Sequence, residues 1–111
     1  PEYNGMPTPL LLNTLDWLSR GSQGLSNFSD KPVALLSASP GGLGGLRSLW
    51  PMRQFLSNLG LLVLANQLAV GAAQDAFNDQ GLLSNPRQQD SMNHIAQQLL
   101  RLANATSTNR T

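Results

Sequence analysis

The run PVALLSAS, residues 32–39, limits the fold more than any other stretch. Its apolar residues are continuous rather than alternating, so no face is left for water. A strand covered on both sides reads this way, as in a parallel sheet. The opening proline suits a strand's first position, where its missing N–H breaks no ladder bond. A second run, LLVLA at residues 61–65, repeats the pattern. Between the two lie the loop PGGLGG and a helical stretch over about residues 45–59. Leu46, Leu49, Trp50, Phe55, Leu56 and Leu59 give that helix its apolar surface, and Gly60 stops it. Two buried strands joined through a helix imply a parallel pair with a right-handed crossover. Such a sheet needs helices on both faces.

Two further helices are predicted. Thr8 can cap the first, and Pro9 suits its first turn. Leu10, Leu11, Leu15 and Leu18 follow at helical spacing and are expected to face the sheet, with Leu12 on an outer flank. The last helix has Asn85 as its cap and Pro86 at its first position, with Gln88 placed to fold back in a capping box. Met92, Ile95, Ala96, Leu99, Leu102 and Ala103 form its stripe. Pro51, inside the middle helix, predicts a bend near residues 47–50 or a regular helix that starts at Pro51. Residues 66–84 carry no clear period apart from a turn at FNDQG, and residues 105–111, ATSTNRT, read as a flexible tail.

Two strands make a poor sheet. The opening PEYNG is dense in turn formers, and such clusters end an element. It is expected to be the exit of a third strand. On that reading residues 1–111 are the C-terminal portion of a single domain, with the N-terminal, phosphate-loop half upstream.

Composition removes several function classes. The 111 residues hold 12% charged side chains and a net charge of +1, with the seven Lys and Arg scattered, so a nucleic-acid partner is not expected. With no Cys and one His, neither a disulfide framework nor a metal site is expected. No apolar run approaches the roughly 20 residues that span a bilayer, so no membrane partner is expected. Three phosphate or nucleophile motifs also fail. GLGGLR puts Arg47 where a dinucleotide fingerprint needs its third glycine. No Gly-Lys-Ser/Thr exists for a Walker loop. SASPG resembles a hydrolase elbow around Ser39, with Asp75 or Asp79 and His94 in order, but the next residue is Pro40. Proline has no N–H to donate to an oxyanion.

What remains is the pairing of PEYNG with SASPGGLGG at the carboxyl ends of neighbouring strands, where open α/β sheets bind ligands. A flavin ring needs backbone or hydroxyl groups for its polar edge and a wall that leaves one face open. PEYNGMPTPLLLNTLDWLSR followed by KPVALLSASPGGLGGLRSLWPMRQFLSNLG closely resembles the NAD(P)H-dependent FMN reductase family, with Leu12 where that family usually has Lys. The resemblance implies a flavodoxin-like, doubly wound parallel sheet, of which this chain supplies the last two strands and three helices. It implies FMN as cofactor and NADH or NADPH as co-substrate. The hydride passes to FMN and then to a quinone, metal-oxyanion, azo or free-flavin acceptor. It also implies that Glu2, Tyr3, Asn4 and Gly5 lie along the ring and that Ser39, Gly41, Gly42 and Gly44 approach it from the next strand. No side chain is expected to act as catalytic acid or base. A cytoplasmic homo-oligomer, dimer or tetramer, built around the first two helices is implied as well. The alternative from another class is a catalytically silent module that keeps the helices for subunit contact and does not hold FMN.

Overall fold

The computed structural model describes residues 1–107. The chain opens with a small hairpin. β1 (Glu2–Tyr3) and β2 (Met6–Pro7) pair antiparallel, Glu2 opposite Pro7 and Tyr3 opposite Met6. The two residues between them, Asn4 and Gly5, have φ of 55° and 77°. Positive φ at both positions is a type I′ turn, whose twist matches that of the strands it joins. α1 (Pro9–Leu18), β3 (Pro32–Ala38), α2 (Leu46–Asn58), β4 (Leu62–Val70) and α3 (Pro86–Ser107) follow in order.

β3 and β4 are parallel, as the two apolar runs require. β4 extends five residues beyond LLVLA, and its register explains why that length was hidden. Val33 pairs with Val63, but Leu35 pairs with Gln67. One residue of β3 therefore faces three of β4, a bulge that puts Asn66 and Gln67 inside a strand and breaks the apolar pattern. α2 and α3 cover opposite faces. Leu35 packs with Leu49, Met52 and Leu56 of α2 in the core, while its neighbour Leu36 shares a cavity with Met92 of α3.

Several expectations change. In α1 the inward stripe is Thr8, Leu12, Leu15 and Ser19: Thr8 and Ser19 are buried and both leucines pack against the core. Leu10 and Leu18 point outward instead, with Trp17 beside them. The spacing of eight, twelve, fifteen and nineteen is as helical as the expected one, and the buried cap at Thr8 selects it. α2 begins at Leu46 and runs through Pro51. Its first turn closes by i to i−3 bonds, Leu46 N–H to Leu43 O and Ser48 N–H to Gly45 O. In α3 the Asn85 side chain accepts from the Arg87 and Gln88 amides at 2.9 and 3.3 Å. The residue that reaches back is Gln89, whose Oε1 accepts from the Leu83 amide. Ala105, Thr106 and Ser107, read as the start of a tail, continue the helix; residues 108–111 lie outside the described residues. No helix among the described residues is long and apolar enough to cross a membrane.

Candidate functional site

The loops after β3 and β4 are joined to each other through their backbones. The Ser39 N–H donates to Val70 O at 3.1 Å, Ala73 N–H donates to Ser39 O at 3.0 Å, and Ala72 N–H donates to Gly41 O at 3.1 Å. This contact is too close for side chains. A Cβ on Gly44 would stand 2.6 Å from Gly71 N and 2.7 Å from Val70 O, and one on Gly71 would stand 2.5 Å from Gly42 O. Ala72 holds this geometry with φ of 46°, a left-handed conformation that disfavours a residue with a Cβ. Residues 71–73 thus back the Gly-rich loop. Sequence reasoning missed them. The available signal was Gly71 directly after an apolar run, the same strand–glycine junction that marks PGGLGG.

The hairpin sits at the same carboxyl end, with β2 packed on α2. Gly45 precedes α2 with φ of 83° and caps it with no side chain. It is glycine of necessity, since a Cβ there would lie 2.9 Å from Ser37 Cβ. The Glu2 carboxylate takes over: its Oε2 accepts from the Ser48 N–H at 3.2 Å and lies 3.6 Å from the Cβ position of Gly45. Gly5 faces the stem of Arg47: a Cβ built on it would stand 3.7 and 3.9 Å from Arg47 Cβ and Cδ. Ser37 Oγ is buried beside Gly45 and has no hydrogen-bond partner among the described residues.

The eight residues singled out in the sequence therefore separate by situation. Glu2 is engaged by α2. Tyr3 is 61% exposed, and Asn4 and Gly5 form the turn beyond it. Gly44 is buried as a packing glycine. Gly41 and Gly42 face open space: a Cβ on Gly42 would meet nothing within 4 Å, and one on Gly41 only Ser39 Oγ at 3.8 Å. That open surface beside a hydroxyl fits the polar edge of a planar ring, which needs close backbone approach. The structure brings hairpin and Gly-rich loop together through Glu2, Gly45 and Ser37.

A groove of about 540 Å³ runs beside them, along the edge of β3 away from β4. Every residue from Val33 to Ala38 lines it, with Leu11 and Leu15 of α1 on one wall and Leu49 and Met52 of α2 on the other; Pro1 and Glu2 stand at its end.

Residues 1–75 match the sequence profile of the NADPH-dependent FMN reductase family. The chain is 35% identical over 100 residues to an NAD(P)H-dependent FMN reductase of Pseudomonas aeruginosa, covering 89% of this chain and 53% of that protein. It is 37% identical over 86 residues to a quinone reductase of Pseudomonas putida, covering 77% and 46%. The chain thus spans about half the length of the curated relatives it matches. Among solved structures, FerB, a flavoenzyme NAD(P)H:(acceptor) oxidoreductase from Paracoccus denitrificans, superposes with a TM-score of 0.71 at 18% identity, over 94% of this chain and 56% of that one. The shared fold is the flavodoxin-like parallel sheet.

Proposed function

This chain belongs to the NADPH-dependent FMN reductase family, and from that premise we propose that it supplies the ring-binding side of an NAD(P)H-dependent flavin oxidoreductase. The observation that carries the proposal is the open backbone at Gly41 and Gly42, beside the Ser39 hydroxyl and at the same end of the parallel pair as the hairpin tip. FMN, when bound, supplies two-electron transfer from NAD(P)H to an acceptor. We assign that acceptor to the quinones, the class named for the Pseudomonas putida relative; azo dyes, metal oxyanions and free flavins are the other candidates. Ser39 Oγ and the amides around Gly41 and Gly42 hold the polar edge of the ring. Preorganised donors there favour the charge that a reduced ring gains, at no cost in reorganisation. Tyr3, Asn4 and Gly5 form the flank, with the Tyr3 ring presented to ligand. No side chain at this end needs to move a proton.

The groove on β3 supports a companion proposal. A further parallel strand lies along residues 33–38 and leads into Pro1, so residues 1–111 act as the C-terminal portion of one larger flavodoxin-like domain. The exposed faces of α1 and α2 carry Leu10, Trp17, Leu46 and Trp50, an apolar surface suited to a homo-oligomer. We place the protein in the cytoplasm, where nicotinamide cofactors are available.

One observation favours the silent-module reading for these residues taken alone. Among the described residues the N-termini of the three α-helices are already capped, α1 by Thr8 Oγ1, α2 by Glu2 and α3 by Asn85. None is left for a phosphate, which binds best at such ends. Flavin titration separates the two readings. Quenching of flavin fluorescence that is weakened by Tyr3→Ala and by Gly42→Val supports the ring site. Quenching that ignores both substitutions removes it.

A further inference from the structure

We propose that Glu2 is a positioning residue: its carboxylate stands in for the missing cap of α2 and so locks the hairpin tip against the Gly-rich loop. This rests on the ring-site reading above for its functional consequence, but not for the lock itself. The chain of causes starts at Ser37. Its Cβ leaves no room for a side chain at residue 45. The residue preceding α2 is therefore glycine, and glycine has no side-chain oxygen to offer the first turn. A Ser, Thr, Asp or Asn there would accept from the amide two or three residues on. Glu2, 46 positions away in sequence, accepts from that third amide, Ser48 N–H, which it shares with Gly45 O at 3.1 Å. Shared amides of this kind are common at helix ends. A negative group is also favoured there by the helix dipole.

The consequence is geometric. Glu2 is in β1, and the I′ turn rigidly relates it to Tyr3, Asn4 and Gly5. Gly45 closes the loop that begins at Ser39. One carboxylate therefore fixes the distance between the two sides of the ring site. β2, packed on α2, is the second point of that attachment. A lone contact would leave the hairpin free to pivot; two do not. Glu2 then acts on the ligand only through its neighbours.

Amide hydrogen exchange on the unliganded chain tests the lock. Glu2→Ala is expected to speed exchange at Ser48 and Met6 about tenfold, with the Leu36 and Leu68 amides of the sheet within twofold of wild type. Glu2→Gln keeps a neutral acceptor and is expected to give a smaller increase at the same two amides, about threefold; it decides the matter if Glu2→Ala does not fold. Unchanged exchange at Ser48 and Met6, or a uniform rise that includes the sheet, overturns the proposal. Flavin titration supplies the second arm. Glu2→Ala is expected to weaken FMN binding about tenfold and Glu2→Gln to recover most of that loss. Glu2→Gln as weak as Glu2→Ala for FMN, while exchange at Ser48 and Met6 stays near wild type, means that the charge acts on the ligand directly, and positioning is overturned. If the wild-type chain quenches no flavin, the ring-site reading fails, and the exchange measurement alone decides the lock.

Discussion

Gly42 and Gly44 stand two residues apart in one loop and answer to different demands. Gly44 has φ of 62° and no space for a Cβ against Val70 and Gly71. Gly42 has ordinary φ and open surroundings. Alanine at 44 forces either the loop or the end of β4 to move, and it adds left-handed strain. We expect Gly44→Ala to lower unfolding free energy by about 3 kcal/mol, combining an overpacked contact with a disfavoured φ. Gly42→Ala is expected to change it by no more than about 0.5 kcal/mol, as for a surface substitution. Urea denaturation measures both. The roles reverse for flavin, where Gly42→Ala places a methyl on the surface assigned to the ring. A large stability loss at Gly42 would mean that its glycine serves packing, and the ring surface would have to lie elsewhere.

At the level of elements, the bulge in β4 decides what α2 must provide. Leu64 and Ala65 turn their carbonyls out of the β3 ladder, and Arg53 collects them. Its guanidinium donates to Leu64 O at 2.6 Å, to Ala65 O at 3.4 Å and to Gln67 Oε1 at 2.9 Å, and stacks 5.8 Å from the Trp50 ring centroid. Asn66 is tied from the other face by Gln98 of α3 at 3.0 Å. Arg53→Ala leaves the partly buried Leu64 carbonyl unpaired, and we expect a loss of about 2 kcal/mol. Arg53→Lys should recover only part of it, because one ammonium cannot reproduce the fork. Thermal or urea unfolding of the two variants checks this. The outer face of α1 makes a separate demand. Trp17→Glu should leave stability nearly unchanged, since the residue is 73% exposed, but should shift sedimentation toward monomer. An unaltered sedimentation profile would exclude α1 from the proposed oligomer contact. These elements also mark what sequence could convey. Both strands, all three helices and the caps at Thr8 and Asn85 were legible, because period and capping chemistry are local. The inward face of α1, the bulge and the Glu2 contact were not. The bulge and the Glu2 contact depend on partners 11 to 46 positions away in sequence, and the face of α1 is set by which leucines meet the core. The hairpin is a different case: Asn-Gly is its local signature.

For the whole molecule the question is how a flavin divides between what these residues hold and what they do not. The loops assigned to the ring are connected to each other by backbone bonds and by Glu2, so they can be preformed without ligand, and little ordering entropy is lost there on binding. The phosphate has no such provision among the described residues. A phosphate needs several amides pointing outward or a free helix N-terminus, and among the described residues the N-terminus of each of the three α-helices already has its own side-chain acceptor. The charged groups do not compensate: seven Lys and Arg are distributed over 111 residues for a net charge of +1. On the proposed site, affinity for FMN in this chain comes from the ring and its ribityl chain, without the phosphate. Riboflavin carries the same ring without the phosphate. We expect the 111-residue chain to bind FMN and riboflavin within about threefold of each other, a difference below about 0.7 kcal/mol, and both more weakly than 1 μM, the range where roughly 8 kcal/mol of binding energy is needed. Fluorescence quenching of each flavin measures the pair directly. If FMN binds at 1 μM or tighter and riboflavin at least about a hundredfold more weakly, then a phosphate site exists within these residues, and the division of the flavin proposed for them is wrong.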